Sequence, residues 1–373
     1  VQAVAGAVVM SGPNDGGGSD NPWSALSSGV TAGAVGAGLF LLYSAYRRSA
    51  AARPAEPRDL VGRTAVVTGA NSGLGLATAR RLVARGATVV LSCRTEAKGA
   101  ATVAALGGAP SAVAGPPLDL RDLTAVRRFA AFVERRVGAV HILVNNAGGL
   151  HPQFGAVAMA AADGGAVVEV EETFAANCVG PTALTLELLP SLARGADGGP
   201  AARVVNVSSR LEKTADLPAF LGDISGRSNA GLRGWGHKAV PDEYSQWAAY
   251  ANSKQAHLHV TWALADRLSG GGADPSIMVN AVTPGMVNTE LGRHHPLFGL
   301  TAPLRWLLLP APHAGADAII HAATSPAIEG HTGRYYGKDR KTGAVGEVEP
   351  SGAARDAVLT ARLWETVSSV CNF

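Results

Sequence analysis

The 373-residue chain is 47% hydrophobic and 16% charged, with a formal net charge of +3. So much apolar residue excludes a disordered chain, and so weak and scattered a charge excludes the basic stripe of a nucleic-acid binder. Cys93, Cys178 and Cys371 are far apart and lack CxxC spacing, so no disulfide framework is expected and a reducing compartment fits.

In chain order, residues 1–28 are a flexible Gly/Ser-rich tail with almost no charge. The start at Val1 is what a processed product or a missing leading segment gives, an organellar transit peptide being one source. Residues 29–46 form an uncharged apolar run closed by Arg47 and Arg48. As a helix, residues 30–46 would reach about 25 Å, against a hydrocarbon core of roughly 30 Å. A single transmembrane helix is expected, its C-terminal end held on the positive side by the arginines. A loosely packed helix on the globular domain is the alternative. Residues 47–59, with Pro54 and Pro57, read as a linker.

From residue 60 the texture changes. Short apolar strands are expected at 64–68, 88–92, 140–144, 203–207 and 277–282. Helices are expected at 125–137, 174–193 and 250–268. Alternation of this kind implies an α/β fold: a single Rossmann-type doubly wound parallel sheet domain over residues 60–373, following the N-terminal transmembrane helix.

Between the first strand and first helix lies Thr68-Gly69-Ala70-Asn71-Ser72-Gly73-Leu74-Gly75. Glycines at such a turn let the backbone approach a pyrophosphate, whose charge suits a helix N-terminus. The second strand ends at Ser92-Cys93-Arg94 with no acid to receive the ribose hydroxyls of NAD. Arg94 offers a guanidinium for a 2′-phosphate instead, which favours NADP(H); a merely solvated arginine is the alternative.

Among the six tyrosines only Tyr250 has a lysine, Lys254, four residues later; Tyr244 has Ala248 there. On a helix the two share one face. A phenol with a pKa near 10 shuttles protons poorly, and a neighbouring ammonium stabilises its phenolate. Tyr250 is therefore expected to give a proton to a carbonyl or take one from an alcohol. The strand at 203–207 ends in Ser208 and Ser209, either of which can meet a substrate oxygen at the carboxyl edge of the sheet. No metal is expected: the ten histidines form no HExxH, and His294-His295 reads as loop. His257 and His259 read as packing or surface residues.

Taken in order, the TGxxxGxG turn, Asn145-Asn146-Ala147-Gly148, Ser209, Tyr250-xxx-Lys254 and Pro284-Gly285 resemble the short-chain dehydrogenase/reductase family across residues 60–340. The resemblance implies a cofactor site of Gly69, Asn71, Ser72, Gly73, Leu74, Gly75, Ala147 and Gly148, closed by Pro284 and Gly285. It assigns Asp119, next to Leu120, to adenine and Asn145 to the adenosine ribose. Lys254 would hold the nicotinamide ribose. The backbone of Val287 and the hydroxyl of Thr289 fall where relatives hold the carboxamide and pyrophosphate. It selects Ser209 over Ser208, and it gives Asn177 a water that links Lys254 to solvent; a helix-kinking or capping asparagine is the alternative.

The chain is most similar to membrane-associated, retinol dehydrogenase-like reductases, through Arg94, the Pro-Gly segment and Ala361-Arg362-Leu363-Trp364-Glu365. That similarity implies a lipophilic carbonyl or alcohol substrate, and a catalytic domain on the reducing side of a plastid, mitochondrial or endoplasmic-reticulum membrane.

Three segments depart from the family pattern. Residues 210–249, with Trp235, His237 and Trp247, form a long insert between Ser209 and Tyr250 that can lid the site or bind a partner. Residues 164–172 are a small local addition. Residues 290–312 are the expected substrate lid, whose apolar 297–309 stretch can also dip into a bilayer or pack internally. A homodimer and a subunit of a membrane complex both remain open. A nucleotide-sensing or structural subunit without turnover is the rival to the enzyme.

Overall fold

The computed structural model describes residues 59–160, 167–228, 231–232, 244–269, 276–285, 312–339 and 342–372. Contacts divide the chain into two units, Val1–Glu56 and Pro57–Phe373, and every described residue belongs to the second. The expected tail and membrane helix lie outside the described residues, with all but Asp59 of the linker. So do Val287, Thr289, Trp235, His237 and residues 297–309. Among the described residues no helix is long and apolar enough to cross a membrane.

The core strands are β1 (Thr64–Val67), β2 (Thr88–Leu91), β4 (Ile142–Asn145), β7 (Ala202–Val207) and β8 (Ile277–Thr283). They are rich in Val and Ile, whose branched side chains suit a pleated surface, and nearly every residue in them is buried. Alternate residues feed two cores. Val66, Leu143, Val204 and Val279 face one side, and Val67, Val144, Val205 and Val282 the other. With β3 (Ala112–Ala114), β9 (Tyr335–Lys338) and β10 (Val345–Glu347), the sheet runs β10-β9-β8-β7-β4-β1-β2-β3, parallel except for β10. The chain moves outward from β1 to β3 and then returns to β4 on the other side of β1. Their carboxyl ends therefore bound the crevice at a topological switch point.

One face of the sheet carries α1 (Gly73–Ala84) and α9 (Pro312–Thr324), which pack on each other; α2 (Glu96–Ala105) follows β2. The other face carries α3 (Leu123–Val137) and the 24-residue α8 (Gln246–Ser269). In α8, residues 248–265 are buried on every side, so each polar side chain there needs a partner. The C-terminal helix α10 (Ala357–Cys371) covers α8.

The continuous helix expected at 174–193 is broken. It runs as α4 (Glu172–Phe174), a π-helical turn at Ala175–Val179, α5 (Gly180–Glu187) and α6 (Leu189–Ala196). Pro181 has no N–H for the carbonyl of Asn177, and the Gly180 N–H reaches back to Ala175 O, so the ladder widens by one residue. Of the expected addition at 164–172, residues 164–166 lie outside the described residues; Val167–Glu171 forms β6, paired antiparallel with β5 (Ala156–Ala160), and Glu172 begins α4.

Candidate active site

The turn after β1 and the turn after β4 are built as one surface. The buried Thr68 hydroxyl accepts from Asn146 N at 3.0 Å and Ala147 N at 2.9 Å, while Asn146 Nδ2 donates to Thr68 O at 2.8 Å. Gly69 and Gly73 have φ of +63° and +54°, and a Cβ on Gly75 would lie 2.2 Å from Gly69 O. Only glycine fits such an approach. Ser72 precedes α1 in extended backbone and makes no side-chain cap, and no acid stands in the first turn. The first amides of α1 thus lack a side-chain acceptor, the arrangement that receives an anion. Asn71 is exposed, with Ser72, Gly73 and Leu74 half-buried.

Arg94 is exposed just past β2, close enough to Asp119 to help lower its pKa. The larger cause is Arg121, whose guanidinium grips both Asp119 oxygens at 2.7–3.3 Å. Arg121 continues to Glu172 at 3.4 Å, and Glu172 meets His151 at 2.6 Å. Leu120 is buried, and its carbonyl lies where a Cβ on Gly180 would come within 2.0 Å. The Asn145 carboxamide is turned into the fold. It donates to Thr185 Oγ1 and Asn206 Oδ1, each at 2.9 Å, and Asn206 donates to Thr261 at 3.0 Å. These bonds tie β4, β7 and α8 together beneath the cleft.

The side chains of four consecutive residues of α8 each reach a different part of the fold. Asn252 Nδ2 donates to Gly231 O and its Oδ1 accepts from Asp216 N, both at 2.8 Å. Ser253 Oγ accepts from Asn177 Nδ2 at 3.0 Å. Lys254 Nζ donates to Val207 O at 2.8 Å, and Gln255 Nε2 to Glu212 O at 3.1 Å. Asn177, on the π turn, also exchanges two hydrogen bonds with the Gly149 backbone, both 2.9 Å. A Cβ on Gly148 would stand 3.1 Å from Lys254 Nζ and 3.2 Å from Asn177 Oδ1, so the turn after β4 presses on this pair. His257 and His259, expected as packing or surface residues, are both buried in α8.

The two serines after β7 part company. Ser208 Oγ donates to Lys254 O at 2.9 Å and is buried. The half-buried Ser209 caps the turn Arg210–Thr214 and stands near enough to the Tyr250 hydroxyl to draw its pKa down. Lys254 Nζ lies 5.6 Å from the Tyr250 ring centroid. Burial pushes the Tyr250 phenol up to about 12, although Ser209 pulls it the other way. Burial also brings Lys254 down to about 8. The phenol therefore stands above its ordinary value and not below it: burial is the larger cause, and Ser209 is the group that opposes it. Tyr250 keeps its proton at neutral pH.

Tyr244 donates to the buried Glu171 carboxylate at 2.8 Å and has no part in this cluster. Three participants receive no role from the sequence: Thr68 and Asn146, although each lies within a motif, and Ser253, which carries no spacing signal. Their places at strand ends or beside Lys254 mark them. Pro284 and Gly285 follow β8 at the same edge, with Gly285 at φ +75°.

Comparison with known proteins agrees with this geometry. The family model described as short chain dehydrogenase matches residues 63–217. Mouse polyprenol dehydrogenase is 34% identical over 312 residues, covering 81% of this chain and 82% of that protein. Human retinol dehydrogenase 14 is 32% identical over 335 residues, covering 84% and 87%. Among solved structures, the Pseudomonas aeruginosa RhlG/NADP active-site complex aligns with a TM-score of 0.53 at 28% identity, over 76% of this chain and 97% of that one. A Brucella melitensis 3-ketoacyl-(acyl-carrier-protein) reductase complexed with NADH has a TM-score of 0.53 at 25% identity, over 75% and 97%.

Proposed function

The chain belongs to the short-chain dehydrogenase family, and on that footing we propose that it moves a hydride between NADP(H) and a lipophilic alcohol or carbonyl. The observation that carries this reading is the buried pair Tyr250 and Lys254, with Lys254 Nζ 5.6 Å from the Tyr250 ring centroid, beside Ser209 at the carboxyl edge of the sheet.

The glycine turn fits a dinucleotide: any Cβ on Gly75 would fill the cradle, and the start of α1 keeps its amides for a phosphate. Gly69 to Gly75, Ala147, Gly148, Pro284 and Gly285 would hold the group, with Asp119 and Leu120 at its adenine end and Val287 and Thr289 beyond β8. Arg94 would select the 2′-phosphate. Bound there, the nicotinamide supplies or takes up the hydride.

The remaining work falls to the chain's own groups. In reduction, the neutral Tyr250 hydroxyl passes its proton to the carbonyl oxygen as that oxygen gains charge. Ser209 donates a hydrogen bond to the same oxygen. Lys254, with a pKa of about 8, can return a proton to Tyr250, and Asn177 fixes the turn past which that proton reaches solvent. Oxidation runs the same steps backwards.

Polyprenol and retinol, the alcohols named in two relatives, motivate the choice of a long apolar substrate. The apolar run at residues 30–46, ending in Arg47 and Arg48, supports attachment by a single span. Resistance of the full-length protein to carbonate extraction tests the anchor. The activity is tested by a turnover screen with NADPH and NADH against lipophilic alcohols, aldehydes, ketones and quinones. Oxidation or reduction of the nicotinamide is expected with at least one; tight nucleotide binding without turnover would overturn the enzyme reading.

A further inference from the structure

We infer that the long insert between Ser209 and Tyr250 is a brace that sets the catalytic helix against the Asn177 turn, with Asn252 and Tyr244 as its positioning residues. This rests on the reading of Tyr250 and Lys254 as the working pair. It assigns a positioning task to the described part of the insert, around Asp216, Phe220, Ile224, Gly231 and Tyr244.

The insert is closed on itself at one side chain. Asn252 accepts from Asp216 N and donates to Gly231 O, both at 2.8 Å, so residues fifteen apart in the insert meet on a single carboxamide. Gly231, at φ +69°, makes the closure possible: a Cβ there would lie 2.6 Å from Asp216 O and 2.8 Å from Phe220 N. Within the closed loop Leu217 and Phe220 are fully buried, as is Leu232 just after it. The loop therefore has a packed interior, and its two neck residues hang from α8. Asn252 is itself buried and lies two residues from Tyr250 and from Lys254. Two residues along a helix is about 200°, so its grip falls on the flank turned away from the catalytic face.

The other side of the brace reaches the Asn177 turn. Ile224 O accepts from Glu171 N at 2.8 Å, and the Phe220 ring packs on that of Phe174 with centroids 5.0 Å apart. At the far end of the insert, Tyr244 donates to Glu171 Oε1 at 2.8 Å. Glu171 is wholly buried and caps α4, accepting from Thr173 N and Phe174 N at 2.9 and 2.8 Å. Phe174 immediately precedes the π turn that carries Asn177. The insert thus joins the two helical segments whose side chains meet at the Asn177–Ser253 bond, by a route independent of that bond. A buried carboxamide or carboxylate with all its partners in place defines one register, because any slip leaves it unsatisfied.

The experiment combines kinetics with amide hydrogen exchange on Asn252→Ala and Tyr244→Phe, at a temperature where both variants are folded. If the brace positions the site, both variants lose kcat, by about tenfold to a hundredfold for Asn252→Ala, and less for Tyr244→Phe. KM and cofactor affinity stay close to wild type, and the deuterium isotope effect from 4-deuterated cofactor rises as the hydride step becomes limiting. Exchange accelerates in residues 172–180 as well as in 246–256. Unchanged kcat with faster exchange would reduce the insert to a structural element and overturn the proposal. Faster exchange confined to the insert would overturn it equally. Should Asn252→Ala fail to fold, Tyr244→Phe, which loses one hydroxyl, decides by the same readouts. Should the wild type turn over no substrate, the active-site reading fails, and exchange at 172–180 alone judges the brace.

Discussion

Asn177 and Ser253 join the two segments that flank the active-site cleft: the Asn177 carboxamide donates to the Ser253 hydroxyl at 3.0 Å, one residue from Lys254. The same carboxamide also bonds Gly149 in both directions at 2.9 Å. One side chain therefore registers α8, the π turn and the loop after β4, and the following expectations depend on that rigidity.

Replacing Tyr250 with Phe removes only a hydroxyl from a buried ring. Turnover should fall by about 10²–10⁴-fold, the usual contribution of a positioned acid or base. Cofactor affinity, measured by nucleotide fluorescence, should hold. Activity within tenfold of wild type would remove Tyr250 from the chemistry.

Arg94→Ala should weaken NADPH by about thirtyfold, the equivalent of about 2 kcal/mol for a charge-assisted contact, and leave NADH nearly unaffected. Equilibrium titration with both nucleotides decides it. Equal losses would mean that Arg94 stacks or packs without reading the 2′-phosphate.

Lys254 carries a stability cost with a definite pH window. Its folded pKa is lowered from 10.5 to about 8, so between those values the unfolded chain binds more protons than the folded one. Its burial penalty is thus complete below pH 8 and fades as pH rises towards 10.5. Lys254→Met should be inactive yet more stable than wild type at pH 7, by on the order of 2 kcal/mol once the lost bond to Val207 is allowed for. Urea melts at pH 7 and pH 10 should show that advantage shrinking. Tyr250 acts oppositely at higher pH: with its pKa raised from 10.0 to about 12, its stabilising contribution from the neutral form is lost above pH 10.

Thr68→Val keeps the shape of a buried side chain and deletes the oxygen that accepts from Asn146 and Ala147. The Ala147 N–H is then left short of an acceptor, while Asn146 N keeps Val144 O at 3.0 Å, so a loss of about 1 kcal/mol is expected. Denaturant melts should register the loss, and dinucleotide affinity should drop with it, because both glycine turns share that hydroxyl.

The chemistry of this site is legible in the chain wherever it depends on local spacing. The glycines at 69, 73 and 75 are dictated by a backbone that no side chain fits, and a Tyr–Lys pair four apart must share a helix face; neither inference needs a distant partner. The run of strands and helices likewise implies a doubly wound sheet, since continuous apolar strands need cover on both faces. Partners far apart in sequence settled the rest. Ser208 and Ser209 are interchangeable on paper, and only the carbonyl of Lys254, on a helix more than forty residues away, takes the first and leaves the second to Tyr250. Asn145 turns inward because Thr185 and Asn206 meet it there. The helix at Asn177 widens because Pro181 withholds an N–H, and the phenol shifts upward because the fold withdraws it from water more strongly than Ser209 can compensate. Asp216 and Gly231, in the insert read as a lid or a partner site, are held to α8 by Asn252 for the same reason: a buried polar group takes whichever partner the fold brings within reach, and no local pattern names that partner.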